Sequence, residues 1–241
     1  MADRDRDTSP APASTAHDWA IPAREYARHE ARRGRPFAYE TLEPRTTALV
    51  VIDMVTFFVA ESTRCQAIVP PINAVAGALR AAGGTVAWVL PKVEPPSSWA
   101  IGFYGQEIAA RYAASGGEGM PAERLWPGLH AHPGDLWAEK TASSAFFPGR
   151  SPLPEMLSRR GIETVLIAGT ATNVCCEASA RDAATLGYRV IMLADANAGV
   201  NDAAHNATLT TIYRSYGDVR PVADVLRMIE IGERGTGGPA D

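Results

Sequence analysis

Three residues able to act together in covalent chemistry lie at or just past the ends of short apolar runs. They are Asp53, Lys140 and Cys175. A carboxylate can take up a proton, a thiol becomes a strong nucleophile once it loses one, and an ammonium stabilises the resulting thiolate. Local secondary structure does not require these three residue types there, so we predict that they form one site. Ionisable residues often follow strands, and unrelated placement is the alternative interpretation.

Residues 163–195 predict a βαβ unit whose turn carries Cys175. An apolar run at 163–168 is followed by small residues, then by apolar positions at helical spacing as far as Gly187, then by a second apolar run. At the first turn of a helix, unpaired N–H groups and the helix dipole favour a thiolate, and they also stabilise an oxyanion. This pattern indicates acyl transfer. Small residues and cysteines packing a tight corner would give the same pattern.

The remaining periodicity indicates strands that alternate with helices. Further strands are predicted at 47–52, 85–90 and 135–139, a short extended piece near Val219, and helices at about 71–82, 152–160, 202–213 and 222–230. Such alternation predicts an α/β fold with a mostly parallel sheet covered on both faces. Ligands of these sheets bind at the carboxyl ends of the strands, where Asp53, Lys140 and Cys175 are expected.

Composition limits the class of protein. The chain has 241 residues, of which 46% are hydrophobic and 21% charged, as in a globular α/β domain with an appendage. A net charge of −4 argues against general nucleic-acid binding. Three cysteines without a CxxC motif predict no disulfide framework and a cytoplasmic location. We expect no membrane partner, because no apolar run approaches a membrane span and the first residues lack a signal peptide's apolar stretch.

The chain divides into four predicted parts. Residues 1–16 and 232–241 are predicted to be disordered tails, 17–45 an N-terminal arm, and 46–231 the main domain. The arm interleaves aromatic and arginine residues, which suit either an anion site or an arm laid over the domain or a neighbouring subunit. Within the main domain, residues 91–134 are rich in proline, glycine and aromatics. They predict a lid or pocket wall with one helix near 103–114.

Three motifs resemble the signatures of the isochorismatase-like cysteine hydrolases. They are VVIDM with Asp53, EKTASSAFF with Lys140, and GTATNVCCEASARDA with Cys175. The resemblance covers roughly residues 45–230. It looks closest to amidohydrolases acting on ureido or carbamoyl groups, such as ureidoacrylate amidohydrolase and N-carbamoylsarcosine amidase. It implies a three-layer αβα sandwich with a mostly parallel central sheet, and identifies residues 46–231 as the hydrolase domain.

The resemblance also implies a catalytic triad. Asp53 would accept the thiol proton, Lys140 would favour the thiolate, and Cys175 would attack an amide or ureido carbonyl. The oxyanion hole of the family falls here on the backbone amides of Ala171 and Cys175, with a cis peptide bond at Thr170–Ala171. Ammonia would be released as the acyl group forms a thioester with Cys175, and water would then hydrolyse that thioester.

The two other cysteines are expected to be structural. Cys176 falls on the apolar stripe of the predicted helix that faces the sheet, whereas Cys65 has no partner in the sequence pattern.

The first motif departs from the family in a way that leaves the substrate open. Many relatives continue Asp-Met with Gln-Asn-Asp-Phe, whereas this chain has Val55 and Phe57, which suggests a more apolar pocket wall. Pocket candidates are Phe57, Phe58, Trp99, Phe103, Phe146 and Thr172, with Tyr104 and Phe147 as further aromatics. Ordinary hydrophobic packing is the alternative interpretation for each aromatic.

We expect neither a metal nor another cofactor. Nicotinamidases of the same superfamily bind a metal through an Asp and histidines after the first motif, but residues 54–70 contain no histidine. His130 and His132 could seat a metal, although a solvated loop pair is the favoured interpretation. His205 is expected to be a surface or packing residue.

The sequence therefore predicts a cysteine-dependent amidohydrolase of a small amide, ureido or carbamoyl compound. One alternative is a vinyl-ether hydrolase of the isochorismatase type, although relatives with that chemistry lack the cysteine. The other is a non-enzymatic binding protein on the same fold. By resemblance alone, a homodimer or homotetramer is expected.

Overall fold

The computed structural model describes residues 16–236, which fold around one six-stranded sheet. Its strands are β1 (Thr47–Ile52), β2 (Thr85–Pro91), β3 (Leu136–Lys140), β4 (Thr164–Thr170), β5 (Arg189–Ala198) and β6 (Asp218–Arg220). Their order across the sheet is β3-β2-β1-β4-β5-β6, and each neighbouring pair is parallel. The predicted parallel sheet is confirmed.

Helices connect the strands and cover both faces of the sheet. In chain order they are α1 (Ala23–Arg33), α2 (Thr56–Val59), α3 (Thr63–Ala67), α4 (Val69–Ala81), α5 (Ser98–Tyr104), α6 (Gln106–Ala113), α7 (Pro121–Arg124), α8 (Leu153–Arg159), α9 (Glu177–Thr185), α10 (Asp202–Ser215) and α11 (Val222–Thr236). A 3₁₀ turn at Pro44–Thr46 leads into β1, and a π-helical turn at Thr172–Cys176 leads into α9.

Alternating side chains of the sheet fill two separate cores. On β1, Leu49 and Val51 belong to the core shared with α4 and α11, whereas Ala48 and Val50 belong to the core shared with α8, α9 and α10. Successive residues of a strand point to opposite faces, so a strand whose residues are all buried must lie between two helical layers. The predicted αβα sandwich is confirmed.

A close approach between the two central strands brings their carboxyl ends together. At Gly169 of β4 the φ angle is +115°, and an added Cβ would lie 2.2 Å from the carbonyl oxygen of Ile52. Only glycine fits this contact, because any side chain would collide with the β1 backbone. The turn that follows β4 therefore starts beside Asp53, the residue that follows β1.

The N-terminal arm lies across the outer side of α10. Tyr26 and Phe37 contact the ring of Tyr213, and His29 Nε2 lies 3.0 Å from the Tyr213 carbonyl oxygen. Glu25 is buried and forms ion pairs with arginines of the arm and of α10. The aromatics of the arm thus pack on the chain's own domain, as in one of the two sequence interpretations.

Two segments contain more helix than the sequence predicts. The single helix expected near 103–114 is replaced by α5 and α6, which meet at Gly105, where φ is +81°. The side chain of Ser97 accepts a hydrogen bond from the Ala100 N–H and starts α5. Residues 54–70, for which no helix is predicted, contain α2 and α3.

The last helix is longer than expected. The predicted helix at 222–230 continues to Thr236, so positions 232–236 are helical rather than part of a disordered tail. An added Cβ at Gly232 would lie 2.2 Å from the Leu42 carbonyl oxygen, so this turn packs closely against the segment before β1. Positions 1–15 and 237–241 of the predicted tails lie outside the described residues. No helix within residues 16–236 is long and apolar enough to span a bilayer.

Candidate active site

The structure brings the side chains of Asp53, Lys140 and Cys175 together at the carboxyl edge of the sheet. Lys140 Nζ lies 2.8 Å from Asp53 Oδ2 and 3.6 Å from Cys175 Sγ. It also donates a hydrogen bond to the carbonyl oxygen of Ala142 at 3.1 Å. The Asp53 and Lys140 side chains are only 2% and 4% exposed. A buried ion pair therefore lies beside a thiol.

The backbone at Asp53 turns sharply to direct its side chain. Its φ angle is +55°, in the left-handed region that Asp tolerates better than most residues. The Asp53 N–H bonds to the Val89 carbonyl oxygen of β2, and its own carbonyl accepts the Val55 N–H. These bonds hold the turn after β1 against the neighbouring strand.

Lys140 is positioned by the short edge strand β3, which within residues 16–236 pairs only with β2. Asp135, just before β3, accepts hydrogen bonds from Trp88 Nε1 at 2.7 Å and from Arg80 Nη2 at 2.6 Å. In the pairing, Lys140 lies opposite Pro91. Asp135 thus anchors the start of β3 to β2 and α4, and Lys140 is its last residue.

Cys175 lies in the π-helical turn and not, as predicted, in the first turn of an α-helix. The carbonyl oxygen of Ala171 accepts the N–H groups of Val174 and Cys176, and the peptide bond Thr170–Ala171 is cis. The α-helix itself, α9, begins two residues after Cys175, at Glu177. Apolar spacing does not distinguish a five-residue from a four-residue hydrogen-bonding pattern over so short a stretch.

The electrostatics keep the resting thiol protonated. Burial and the Asp53 carboxylate raise the pKa of Cys175 to about 12, although Lys140 opposes them. Burial also raises the pKa of Asp53 above its usual range, again against the effect of Lys140. The pKa of Lys140 is raised as well, because Asp53 and Cys175 outweigh the opposing effect of burial. The thiolate is thus not preformed, and the carboxylate beside it is a stronger base than an exposed one.

Asp53 has one oxygen engaged and one available. Oδ2 pairs with Lys140, whereas Oδ1 is buried and has no hydrogen-bond partner among residues 16–236. An oxygen in this situation is suited to receive a proton.

The exposed predicted pocket residues belong to a continuous aromatic cluster. Phe57 contacts Phe58 and Tyr112, and Tyr112 contacts Tyr104 of α5. Trp99 stacks on Phe103 with ring centroids 5.4 Å apart, and both are largely exposed, at 66% and 70%. The cluster runs from α2, which follows Asp53, across Tyr112 of α6 to α5.

Two of the predicted pocket residues are instead interior. Phe146 is fully buried in the core under α8 and contacts Tyr188, whereas the adjacent Phe147 is 52% exposed. Thr172 is also fully buried, and its hydroxyl lies 2.9 Å from His205 Nδ1. Neither side chain has surface to offer a ligand, so both predictions are wrong. The loop before α8 turns the first phenylalanine inward and leaves the second outside.

The other cysteines have interior positions. Cys176 is fully buried in the core beneath α9, which confirms its predicted place on the inward stripe. Cys65 is buried on α3, and its thiol donates to Thr170 Oγ1 at 3.4 Å.

The histidines divide into an exposed pair and a buried pair. His130 and His132 lie on an exposed turn, and within residues 16–236 no three His, Cys, Asp or Glu side chains are grouped to hold a metal ion. His205 is fully buried and stacks on His17 of the arm, with ring centroids 4.1 Å apart. His205 is thus a packing residue, as one of the two interpretations had it. His17 and His205 are far apart in the sequence, so no local sequence pattern could have predicted their contact.

Comparison with protein families matches residues 47–224 to the isochorismatase domain. This stretch is well over half of the 241 residues, and the chain belongs to the isochorismatase family. It contains Asp53, Lys140 and Cys175 but not the N-terminal arm.

Individual relatives agree with this assignment. The chain is 36% identical over 122 residues to ureidoacrylate amidohydrolase RutB of Variovorax paradoxus, an alignment covering 50% of this chain and 46% of that protein. The chain spans about half the length of the curated relatives it matches first. A solved cysteine hydrolase from Pseudomonas syringae pv. phaseolicola superposes with a TM-score of 0.72 at 28% identity, covering 82% of this chain and 99% of that one. N-carbamoylsarcosine amidase from Thermoplasma acidophilum gives 0.60 at 26% identity, covering 73% and 96%.

Proposed function

We propose that this protein is a cysteine-dependent amidohydrolase that releases ammonia from a small amide, ureido or carbamoyl compound. The observation that carries the proposal is the contact of one buried ammonium, Lys140 Nζ, with both the carboxylate of Asp53 and the thiol of Cys175. Similarity to a ureidoacrylate amidohydrolase and to an N-carbamoylsarcosine amidase supports the class of bond.

In the first half-reaction Cys175 Sγ attacks the carbonyl carbon while Asp53 takes the thiol proton. A pKa of about 12 for Cys175 means that this proton must leave during attack, and the raised pKa of Asp53 suits it to receive the proton. Lys140 stabilises the negative sulfur as it forms. We assign the oxyanion to the backbone N–H groups of Ala171 and Cys175.

Collapse of the tetrahedral intermediate breaks the C–N bond. Asp53 gives its proton to the departing nitrogen, ammonia leaves, and the acyl group stays on Cys175 as a thioester. In the second half-reaction water attacks the thioester carbonyl and Asp53 takes a proton from that water. The C–S bond then breaks, the acid product leaves, and the proton returns to the sulfur.

The aromatic cluster of Phe57, Tyr112, Tyr104, Trp99 and Phe103 indicates that the substrate carries an apolar or planar part. Exposed aromatic faces favour planar groups and aliphatic chains over compact charged ones. Phe57 is the cluster residue nearest to Asp53 in the sequence. It stands where many relatives carry a polar residue after the Asp-Met of the first motif.

The test is ammonia release from a panel of ureidoacrylate, N-carbamoyl amino acids, biuret, nicotinamide and simple aliphatic amides. We expect turnover of at least one compound, abolished by Cys175→Ala and retained by Cys176→Ala, which removes the neighbouring thiol from the core. Rapid quenching with the active compound should trap an acyl group on the peptide that contains Cys175.

Three outcomes would count against the proposal. Turnover that survives in Cys175→Ala would exclude the thiol as nucleophile. Cleavage of a vinyl ether with no ammonia release from the panel would favour the alternative hydrolase. Tight binding of a panel compound without turnover would favour a binding protein.

A further inference from the structure

The N-terminal arm reaches the candidate active site through His17. Its side chain is 3% exposed, and its Nε2 accepts the Gly199 N–H at 2.9 Å. Because that nitrogen accepts, Nδ1 carries the proton and donates to Asp202 Oδ1 at 2.6 Å. Both bonds fix the loop between β5 and α10. His17 lies outside residues 47–224, the part matched to the family domain.

His205 continues this contact toward the turn that carries Cys175. Its Nε2 lies 3.1 Å from the Ala194 carbonyl oxygen, which can only accept, so Nε2 carries the proton. Its Nδ1 therefore accepts the hydroxyl proton of Thr172 at 2.9 Å. The rings of His17 and His205 are nearly parallel, at 9°. Each ring thus has one donating and one accepting nitrogen.

Both residues that flank Ala171 are held by this region. Thr172 bonds His205, and Thr170 Oγ1 donates to the Ala198 carbonyl oxygen at 3.1 Å. An added Cβ on Gly199 would lie 3.4 Å from Thr172 Cβ, so the loop that His17 fixes is in van der Waals reach of the π-helical turn. The position of the Ala171 amide is thus set from the side opposite Lys140.

We propose that His17 and His205 are positioning residues that hold the π-helical turn for acyl transfer, so that the arm is part of the catalytic unit. This inference rests on the proposed function, since the turn contains the assigned oxyanion amides and the nucleophile. Neither histidine touches the reacting atoms. His17 acts through Gly199 and His205, and His205 acts through the hydroxyl of Thr172.

The arm is tied down close to His17 by a second set of bonds. The Ala20 N–H donates to Asn206 Oδ1 at 3.0 Å, and Asn206 Nδ2 donates to the Asp18 carbonyl oxygen at 2.9 Å. Asn206 lies on α10 four residues after Asp202. Residues 17–20 are thereby held in place next to His205 by more than the two histidine bonds, so a change at His17 should leave the arm docked.

The experiment compares His17→Phe and Thr172→Val with the parent in the full-length chain. Phe keeps the stacked ring but neither accepts from Gly199 nor donates to Asp202, and Val keeps the shape of Thr172 without its hydroxyl. We expect kcat to fall about three- to tenfold in each variant, with KM within twofold. The double variant should be little worse than either single one, because both changes break the same chain of contacts. His17→Gln, which can still accept and donate, should recover most of the activity.

The matched control is His29→Phe. His29 is a second buried arm histidine that bonds a backbone carbonyl of α10, but it lies at Tyr213, away from Thr172. This variant should lower the melting temperature yet leave kcat within twofold of the parent. Equal losses of kcat in His17→Phe and His29→Phe would overturn the proposal, because they would assign the effect to docking of the arm in general.

Alkylation of Cys175 by iodoacetamide gives a readout that does not depend on a substrate. A loosened turn exposes the Cys175 thiol to water and lessens the burial that raises its pKa. Cys175 should therefore be alkylated at least twice as fast in His17→Phe and in Thr172→Val as in the parent. Parent turnover that needs Cys175 tests the proposed function separately. If no panel compound is turned over, the alkylation rates alone decide the positioning. Rates within twofold of the parent in both variants would overturn it.

Discussion

Removing Lys140 should leave the buried carboxylate of Asp53 without its partner. The structure sets an upper limit on the resulting loss in the free energy of unfolding. Breaking a buried ion pair from one side costs about 3–5 kcal/mol, because the remaining charge stays out of water. Lys140 and Asp53 are 4% and 2% exposed, which places them in this class. In Lys140→Met, however, Asp53 can escape the penalty by taking up a proton. An unfolded carboxyl titrates near pH 3.9, so protonation at pH 7 limits the cost to about 4 kcal/mol.

Because the limit depends on protonation of Asp53, the destabilisation of Lys140→Met should be smaller at lower pH. In the variant the folded state holds the proton at higher pH than the unfolded state does, so folding gains stability as the pH falls. At pH 5 the same limit is about 1.5 kcal/mol. Urea denaturation of Lys140→Met should therefore show a loss of about 4 kcal/mol at pH 7 and less than half of that at pH 5. The double variant Asp53→Asn with Lys140→Met should be more stable at pH 7 than Lys140→Met alone.

The control is the exposed pair Arg35 and Glu40, whose side chains are 48% and 59% exposed. Arg35→Met should cost at most about 1 kcal/mol at either pH. A loss below about 1 kcal/mol in Lys140→Met at pH 7, or an equal loss at pH 5, would refute the treatment of Asp53 and Lys140 as a buried pair.

Three further predictions concern reactivity, packing and acid stability. In Asp53→Asn, iodoacetamide should alkylate Cys175 several-fold faster than in the parent at pH 8, because the Asp53 charge helps to raise the thiol's pKa. An unchanged rate, measured by mass mapping of the labelled peptide, would contradict this. Phe146→Ala should cost about 3–5 kcal/mol in urea denaturation and Phe147→Ala less than about 1, since only the first empties the core; similar costs would be contrary evidence. Burial lowers the pKa of His205 to about 4, so the parent should lose up to about 3 kcal/mol between pH 6.5 and 4 as the unfolded histidine takes up a proton. His205→Gln should lack this loss, which urea titrations across that range would measure.

The sheet could be predicted because each central strand is a continuous apolar run. Residues 47–52 are buried on both faces and read as such from the sequence, and the strand bounds there agree with β1. The meeting of Asp53, Lys140 and Cys175 follows from the same logic, since parallel strands bring their carboxyl ends to one edge. Their chemistry is local to each strand end, whereas their distances depend on Gly169 and on the anchoring of β3.

What the sequence could not predict depends on contacts between distant parts of the chain. Two adjacent phenylalanines, Phe146 and Phe147, look alike in a loop, and only the packing of α8 decides which one is interior. The hydroxyl of Thr172 looks available in a small-residue turn, yet it is occupied by His205, 33 positions away. The ring of His17 meets His205 through the path of an arm that carries no periodic signal.

The location of Lys140 at the end of an edge strand has a consequence for how the sheet assembles. In the part of the chain that the structure describes, strand β3 pairs on one side only, and slippage by one residue would exchange the faces to which its side chains point. Slippage in one direction would place the carboxylate of Glu139 beside Asp53 instead of the ammonium, and attraction would become repulsion between two buried negative charges. The charge pair thus favours the native register of β3 over the slipped one. A molecule with the slipped register would lose both the stabilising ion pair and the ammonium beside Cys175.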